Sequence, residues 1–550
     1  MERFYNAPDQ VVDAVLAATA ATSDLRIAAP ESGLRILIRE DWDRTDQGRQ
    51  QVAILSGGGA GHEPAHAGYI GDGMLTGAIS GSLFASPSVE AVLAAIRDVC
   101  GEAGCLLVVK NYTGDRLNFG LAAERARREG LAVEMVIVAD DVSIQDAPQP
   151  RGIAGTVLVH KLAGYLASQK TPLTEIKAAT ESLCRSLASL GMALSPAAQP
   201  GQRPAARAPE LGLGIHNESG TREVDPQSAD EAMALVLAPL RDALTNRHLS
   251  GPWIAVINDL GGCSTQELGV LADVLLRQLG PSQVSHLLGP APLMTSLDMH
   301  GFSVTLLPAA AEFVDALSAP TSAPAWPGLR PCRAPTTFAP DTHQAHDALS
   351  EDAPQDTRIT NQLKRIVATL RDARQDLDAL DAKSGDGDAG ASLQSGADAI
   401  AAALEAGRLN TQAMAPLFAG IGQLLSRDMG GSSGVLLSIL FTAAGASLDQ
   451  RGDLVESLAD GIEKMQTYGG AKPGDRTMLD ALVPAIESLQ RGESLSQAAQ
   501  AARDGAQATA TLTRANAGRS AYVPESALQG VVDPGAEAVA RVFETLASTT

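Results

Sequence analysis

The stretch DAKSGDGDAGASL (381–393) is where two different folds part. Its Gly385, Gly387 and Gly390 fit the dinucleotide pattern G-x-G-x-x-G letter for letter. That pattern works only between a strand and a helix. Upstream, Ile359, Leu363, Ile366, Val367 and Leu370 recur at helical spacing with charged residues between them, so the segment leading in is helical. Asp386 and Asp388, inside the loop, would also repel a bare pyrophosphate. With Asp381 they make three carboxylates in one short run, which calls for a cation. A hard divalent ion such as Mg²⁺ takes oxygen ligands and shares its shell with nucleotide phosphates. A solvated Asp/Gly turn is the plain alternative. Against it stands a second small-residue loop, Gly430-Gly431-Ser432-Ser433-Gly434, rich in backbone and hydroxyl donors. Together the two loops point to a metal–nucleotide site and to phosphoryl transfer.

The chain has 550 residues, too many for one core, so two to four domains are expected. A net charge of −22 argues against nucleic acid and anionic membrane surfaces as partners. It also makes any phosphate site depend on local cations. An aromatic content of 3% argues against base-stacking platforms. The five cysteines, Cys100, Cys105, Cys184, Cys263 and Cys332, are odd in number and form no C-x-x-C pair, which reads as reduced thiols in a cytoplasmic protein. Asp9 and Asp13 spoil the N-terminus as a signal peptide, and no membrane-spanning apolar run is expected.

Pro320, Pro324, Pro327, Pro331, Pro335, Pro340 and Pro354 mark a semi-extended Pro/Ala linker, placed at 321–356. It divides an N-terminal half (1–320) from a C-terminal half (357–550). A smaller Pro/Ala stretch, 195–209, suggests a subdomain break in the first half. Before the linker, short β-branched runs (Val52–Leu55, Leu106–Val109, Val133–Val138, Ile254–Ile257, Ser303–Leu307) alternate with helical segments, the mark of an α/β fold. After it the chain is Ala/Leu-rich and helical throughout. The expected fold is an α/β half joined to an all-α half.

The α/β half carries its own chemistry. Val52–Leu55 opens into Ser56-Gly57-Gly58-Gly59-Ala60-Gly61-His62-Glu63-Pro64, and Leu106–Val109 ends in Lys110-Asn111-Tyr112-Thr113-Gly114-Asp115. Ligands of open α/β sheets sit at the carboxyl ends of strands, so these loops are candidates to face one pocket. They are equally candidates for ordinary turns. His216, in Gly212-Leu-Gly214-Ile-His216-Asn-Glu218, reads as lying at a strand end, and residue types alone do not choose it over His300. His160 falls in an apolar helical stretch and takes a packing role; His343 and His346 lie in the linker.

Longer motifs add a resemblance. GGGAGHEPAHAGYIGDGML (57–75), LLVVKNYTGDRLNFGLAAE (106–124), RGIAGTVLVHKLAG (151–164) and GLGIH (212–216) resemble the substrate domain of the dihydroxyacetone kinases. DAKSGDGDAGASL, GGSSG (430–434), GAKPGDRTMLDAL (470–482), GRSAY (518–522) and DPGA (533–536) resemble their nucleotide domain, in the family's order and in one chain. The resemblance implies a substrate domain of two α/β subdomains and a barrel of helices with ATP at one end. It implies a homodimer in which the nucleotide domain of one chain caps the substrate domain of the other.

The resemblance also implies roles. His216 would hold the substrate carbonyl as a covalent hemiaminal, with His62 and Asp115 assisting proton transfers. Gly59, Ala60, Gly61, His62, Lys110 and Asp115 would bind the substrate. Asp381, Asp386 and Asp388 would hold two Mg²⁺ ions. Ala389, Gly390, Ala391, Ser392, Ser432, Ser433, Gly469, Thr477, Met478, Arg519, Asp533, Pro534 and Gly535 would contact ATP. No G-x-x-x-x-G-K-[ST] occurs, so this is not a P-loop enzyme. Two positions depart from the family pattern: Ala60 where serine is common, and Ala389 where Thr, His or Cys is frequent. They bear on substrate preference and nucleotide affinity, not on the reaction class. The implied activity is phosphorylation of dihydroxyacetone, with glyceraldehyde as a second substrate. Another short ketose such as erythrulose, or an added lyase activity releasing cyclic riboflavin phosphate from FAD, are the alternatives.

Overall fold

A computed structural model describes residues 4–144, 147–202, 207–280, 282–340 and 348–548, without the side chain of Arg519. His343 and His346 therefore lie outside the described residues. The chain forms two compact units, 1–337 and 338–550.

The first unit holds two sheets. The first sheet contains β1 (Leu25–Ile27), β2 (Ile36–Arg39), β3 (Ala53–Ala60), β4 (Gly77–Leu83), β5 (Cys105–Lys110) and β6 (Val133–Val138), in the order β1-β2-β4-β3-β5-β6. Strands β4, β3, β5 and β6 are parallel, and β1 and β2 run antiparallel at one edge. The second contains β7 (Ala188–Ser195), β8 (Glu210–Leu211), β9 (Arg222–Glu223), β10 (Trp253–Asp259), β11 (Val284–Ala291), β12 (His300–Pro308) and β13 (Leu329–Pro331). Its order is β13-β11-β10-β12-β7-β8-β9, and only β10 and β11 pair in parallel. The helix Thr265–Leu279 provides their crossover, as a parallel connection requires. The alternation of strand and helix was legible, but this antiparallel second sheet was not.

Both faces of β3 and β5 are buried, which is why those strands read as unbroken apolar runs. Ile54, Leu106 and Val108 join one core, while Ala53, Leu55, Leu107 and Val109 join another. Three expectations need correcting. The glycines Gly57–Gly59 are not a loop after β3 but its last turns of ladder, because β3 runs on to Ala60 beside β4. The division between the sheets falls before β7, at the helices Thr156–Ser168 and Leu173–Ser186, rather than at 195–209, since β7 already belongs to the second sheet. The proline-rich segment is also less of a free linker than its composition suggests. Ala323 is buried and the Ala325 N–H donates to the Gly68 carbonyl, while Leu349 and Ala353 are buried in the second unit.

Every described strand lies in the first unit; the second is helical. Thr357–Asp372 packs on Ala389–Glu405, then come Met414–Asp428, Gly431–Arg451, Leu454–Gly469, Leu479–Gln490, Leu495–Ala508 and Pro534–Ala547, which returns to Thr357–Asp372 and closes a ring. Arg374–Ser384 packs against the ring beside Ala389–Glu405 and Pro534–Ala547. Short connections make sequential helices antiparallel, so alternate connections share an end of the ring. Gly431–Arg451 is long and apolar enough to cross a membrane by length and composition, against the expectation that no such run exists. Here it packs between its two neighbours in the ring.

Candidate functional site

In the first unit the register sets the geometry. Ser56 pairs with Val108, so the parallel strands β3 and β5 end side by side, at Ala60 and Lys110. A Cβ on Gly58 would stand 3.0 Å from Lys110 Nζ and 3.6 Å from Asp115 Oδ2, so only glycine leaves open the space those groups face. Asp115 sits in the first turn of the helix Thr113–Arg128 and accepts a hydrogen bond from Ser86 Oγ. Lys110 is fully buried, its Nζ has no hydrogen-bond partner among the described residues, and burial lowers its affinity for a proton. A buried ammonium without an acceptor is costly unless a ligand supplies one.

His62 is buried at the carboxyl end of β3, with Nδ1 2.8 Å from the Thr295 carbonyl oxygen. Burial, then the nearby Lys110 and His216, hold it well below the usual imidazole range. His216 lies not at a strand end but in the turn that follows β8. Its Nε2 is 3.0 Å from His62 Nε2, although the two residues are 154 positions apart. The connection between β11 and β12 brings them together. Thr295 and Leu297 donate their N–H groups to the His62 and Gly61 carbonyls, and Ser296 Oγ donates to the Ile215 carbonyl. Phe84 and Tyr112 present rings edge-on to His216, with centroids 5.4 Å and 4.5 Å away. Glu218 accepts from the His216 N–H at 3.0 Å and lies 3.3 Å from its Nδ1.

Gly59, Ala60, Gly61, His62, Lys110, Asp115 and His216 thus lie around the carboxyl ends of β3 and β5. Sequence reasoning missed Phe84, Ser86, Glu218 and Thr295. Glu218 stood two residues from His216, but nothing local marked Thr295. His300 is elsewhere, paired with Glu267 at 2.7 Å. His160 is indeed buried, yet it is polar in its contacts: its Nε2 is 3.0 Å from Ser56 Oγ, which also meets His66 Nδ1.

In the second unit, Asp381 lies in the last turn of the helix Arg374–Ser384 and ties down the loop after it. Its Oδ2 accepts the N–H groups of Gly387, Asp388 and Ala389 at 3.0, 3.0 and 3.2 Å. Gly387, at φ +82°, permits the wrap. Carboxylate oxygens of Asp381, Asp386 and Asp388 all lie within 4.8 Å of one another. That all-oxygen donor set, anionic and partly open, fits a magnesium ion. A helix precedes the loop, which removes the dinucleotide reading.

The helix Ala389–Glu405 starts directly from this loop. Asp378 Oδ1 accepts the Ala391 N–H at 3.0 Å, and Ser392 donates its N–H to the Asp388 carbonyl, so two amides of that segment already have partners. Ser395 Oγ donates to the Asp428 carbonyl, which brings the first turn of Gly431–Arg451, with Ser432 and Ser433, alongside. Gly469 leaves room for Leu436 of that same helix. Met478 abuts Gly535, and Arg476 donates to the Val531 carbonyl, joining the 477–478 and 533–535 segments. Asp533, buried with Pro534, caps Pro534–Ala547 through the Ala536 N–H, and burial pushes its carboxyl up to about 6. The expected nucleotide residues therefore gather at ring connections of one end; the side chain of Arg519 lies outside the description.

The Dak1 domain model matches residues 20–325 and the DAK2 domain model residues 383–548. The chain is 44% identical to the dihydroxyacetone kinase of Citrobacter freundii, over 98% of this chain and 97% of that one. This chain belongs to the dihydroxyacetone kinase family. It is 40% identical to the triokinase/FMN cyclase of Rattus norvegicus, over 97% of this chain and 96% of the relative. The crystal structure of the C. freundii kinase in complex with AMP-PNP and Mg²⁺ matches with a TM-score of 0.78 at 42% identity, covering all of both chains. The family's fold, α/β sheets followed by a helical half, is the fold seen here.

Proposed function

We propose that the chain is an ATP-dependent kinase that phosphorylates dihydroxyacetone, and glyceraldehyde as a second substrate, to the triose phosphate. The observation that carries this is the meeting of His216 and His62 beside Lys110 and Asp115. The likeness to dihydroxyacetone kinases and triokinases supports it.

His216 Nε2 adds to the carbonyl carbon and holds the substrate as a hemiaminal. A polyol such as glycerol offers no carbonyl to attack, so the step selects the substrate rather than activating its hydroxyl. Fixing the terminal hydroxyl removes orientational freedom before transfer. Lys110 and Asp115, with Gly59–His62, hold the substrate oxygens, and Asp115 takes the proton as the hydroxyl is phosphorylated. Phe84 and Tyr112 wall the histidines from solvent.

In the helical unit Asp381, Asp386 and Asp388 hold two magnesium ions, whose part when bound is to neutralise charge on the transferring phosphoryl group. Ala389–Ser392, Ser432, Ser433, Gly469, Thr477, Met478, Arg519 and Asp533–Gly535 position the nucleotide. The working form is a homodimer in the cytoplasm, and the five free thiols fit a reducing compartment.

Incubation with Mg·ATP and dihydroxyacetone is expected to yield ADP and dihydroxyacetone phosphate, with glycerol inert. Intact ATP and no triose phosphate would sink the assignment. The likeness to triokinase/FMN cyclases favours a second reading, a cyclising lyase at the nucleotide end. The same incubation with FAD in place of the triose decides it by release of cyclic FMN.

A further inference from the structure

The paired histidines carry a proton count. The Thr295 carbonyl oxygen only accepts, so His62 Nδ1, 2.8 Å away, bears hydrogen. Glu218 accepts the His216 backbone N–H through Oε2, and its Oε1 lies 3.3 Å from His216 Nδ1. Burial would raise its carboxyl, but the bonds from His216 outweigh this and hold it at about 2. It is a carboxylate, which also only accepts, so His216 Nδ1 bears hydrogen as well. The two remaining nitrogens, both Nε2, face each other at 3.0 Å. Two lone pairs there would repel; one proton must lie between them. The pair thus holds one proton more than two neutral imidazoles.

The other charged groups leave this count in place. Lys110 is buried near His62 and close to Asp115. Arg151 approaches Glu218 around Gly214 but is already bonded to Asp141 at 2.7 Å. Tyr112 meets His216 with a ring edge. Among the described residues, Glu218 is the one carboxylate hydrogen-bonded to either imidazole.

We propose that Glu218 is a positioning residue that keeps this extra proton on the His62–His216 pair, and that it is the proton delivered to the substrate oxygen on carbonyl capture. The inference rests on the hemiaminal reading above. His216 Nε2–H passes its proton to His62 Nε2, which frees the His216 lone pair. That pair forms the N–C bond, the carbonyl π electrons move to oxygen, and the oxygen takes the proton from His62 Nε2. No proton enters or leaves. The adduct is an imidazolium, substituted at Nε2 and bonded through Nδ1 to Glu218, so the positive charge stays beside the same carboxylate.

Without Glu218 the extra proton is lost near neutrality, and capture spends a hydrogen of the neutral pair itself, so that the adduct is a neutral imidazole. Carbonyl-labelled [¹³C]dihydroxyacetone added to the full-length protein reports the tetrahedral carbon of the adduct, and ¹⁵N spectra report whether His216 Nδ1 in it bears hydrogen. Between about pH 6.5 and 8 the wild-type adduct is expected to be an imidazolium, and the Glu218→Gln adduct neutral. Glu218→Asp, which keeps the carboxylate, should restore the imidazolium. A neutral adduct in the wild type, or an imidazolium in Glu218→Gln, overturns the proposal. Histidine ¹⁵N spectra of the free protein separate this from failure of the hemiaminal reading. His216 should be an imidazolium in the wild type and neutral in Glu218→Gln even if no adduct forms, and a neutral His216 in the wild type overturns the proton count.

Discussion

Asp381 has two tasks, one of them shared with its neighbours Asp386 and Asp388, and substitution separates them. It is the acceptor for three backbone N–H groups of its own loop, through one oxygen, and it is one of the three clustered carboxylates. Asp381→Ala leaves those amides without an acceptor in a position that is 9% exposed. A hydrogen bond to a charged group contributes about 1.5–3 kcal/mol. Three bonds sharing one oxygen, in a loop where water can reach some of the amides, should lose roughly 3 kcal/mol in total. For a unit of the size of 338–550, that is a fall of roughly 6–12 °C in its melting transition. Asp386→Ala, which removes none of these three bonds and relieves repulsion among three anions, should lower the metal-free transition by less than Asp381→Ala does. Differential scanning calorimetry of the full chain in EDTA reads both. Adding Mg·ATP should raise the wild-type transition by mass action and raise neither variant. Equal melting of the two variants in EDTA would refute the view that Asp381 builds the loop as well as holding the ion.

A Cβ on Gly59 would meet backbone atoms, 2.6 Å from the Ala85 N and 2.8 Å from the Phe84 carbonyl carbon, whereas on Gly58 it would meet the tip of a lysine. Gly59→Ala should therefore displace Phe84 from the histidines and lower kcat/KM for dihydroxyacetone roughly tenfold to a hundredfold. ATP affinity should stay unchanged, and an equal loss of nucleotide binding would contradict the placement. His160, fully buried and pushed by burial and by Lys110 down to about 3, is neutral in the native state and free to protonate when unfolded. Such a group stabilises the fold above the unfolded pKa near 6.5, and that contribution is lost as pH falls toward the native value. Acid should thus cost the α/β unit about 1.4 kcal/mol per pH unit through this residue, and His160→Gln should flatten the slope of stability against pH by that amount. An unchanged slope in denaturant titrations would mean that His160 is already charged in the native protein.

What the sequence disclosed and what it hid follow from how local each signal is. The α/β and all-α division was written in periodicity, because burial on both faces makes β3 and β5 continuous apolar runs and the ring helices keep helical spacing. The carboxylate cluster was legible because all its members sit in one loop. The ends of elements were not: a run of three glycines reads as a loop, yet Gly57–Gly59 continue β3, since close approach to Ile79 and Phe84 excludes side chains there. The pairing of His62 with His216 was beyond composition and spacing and came only from resemblance. Its cause is the 295–297 segment, which acts through backbone groups and a serine and so leaves little trace in residue types. The same holds for the proton on the pair. It needs the Thr295 carbonyl to fix one ring and the Glu218 carboxylate to fix the other, and neither group alone implies a charge. A histidine that must become a nucleophile is then stored as its conjugate acid, which looks unproductive until its partner is counted. His62, kept neutral by burial, is the base that frees His216 and the acid that completes the capture.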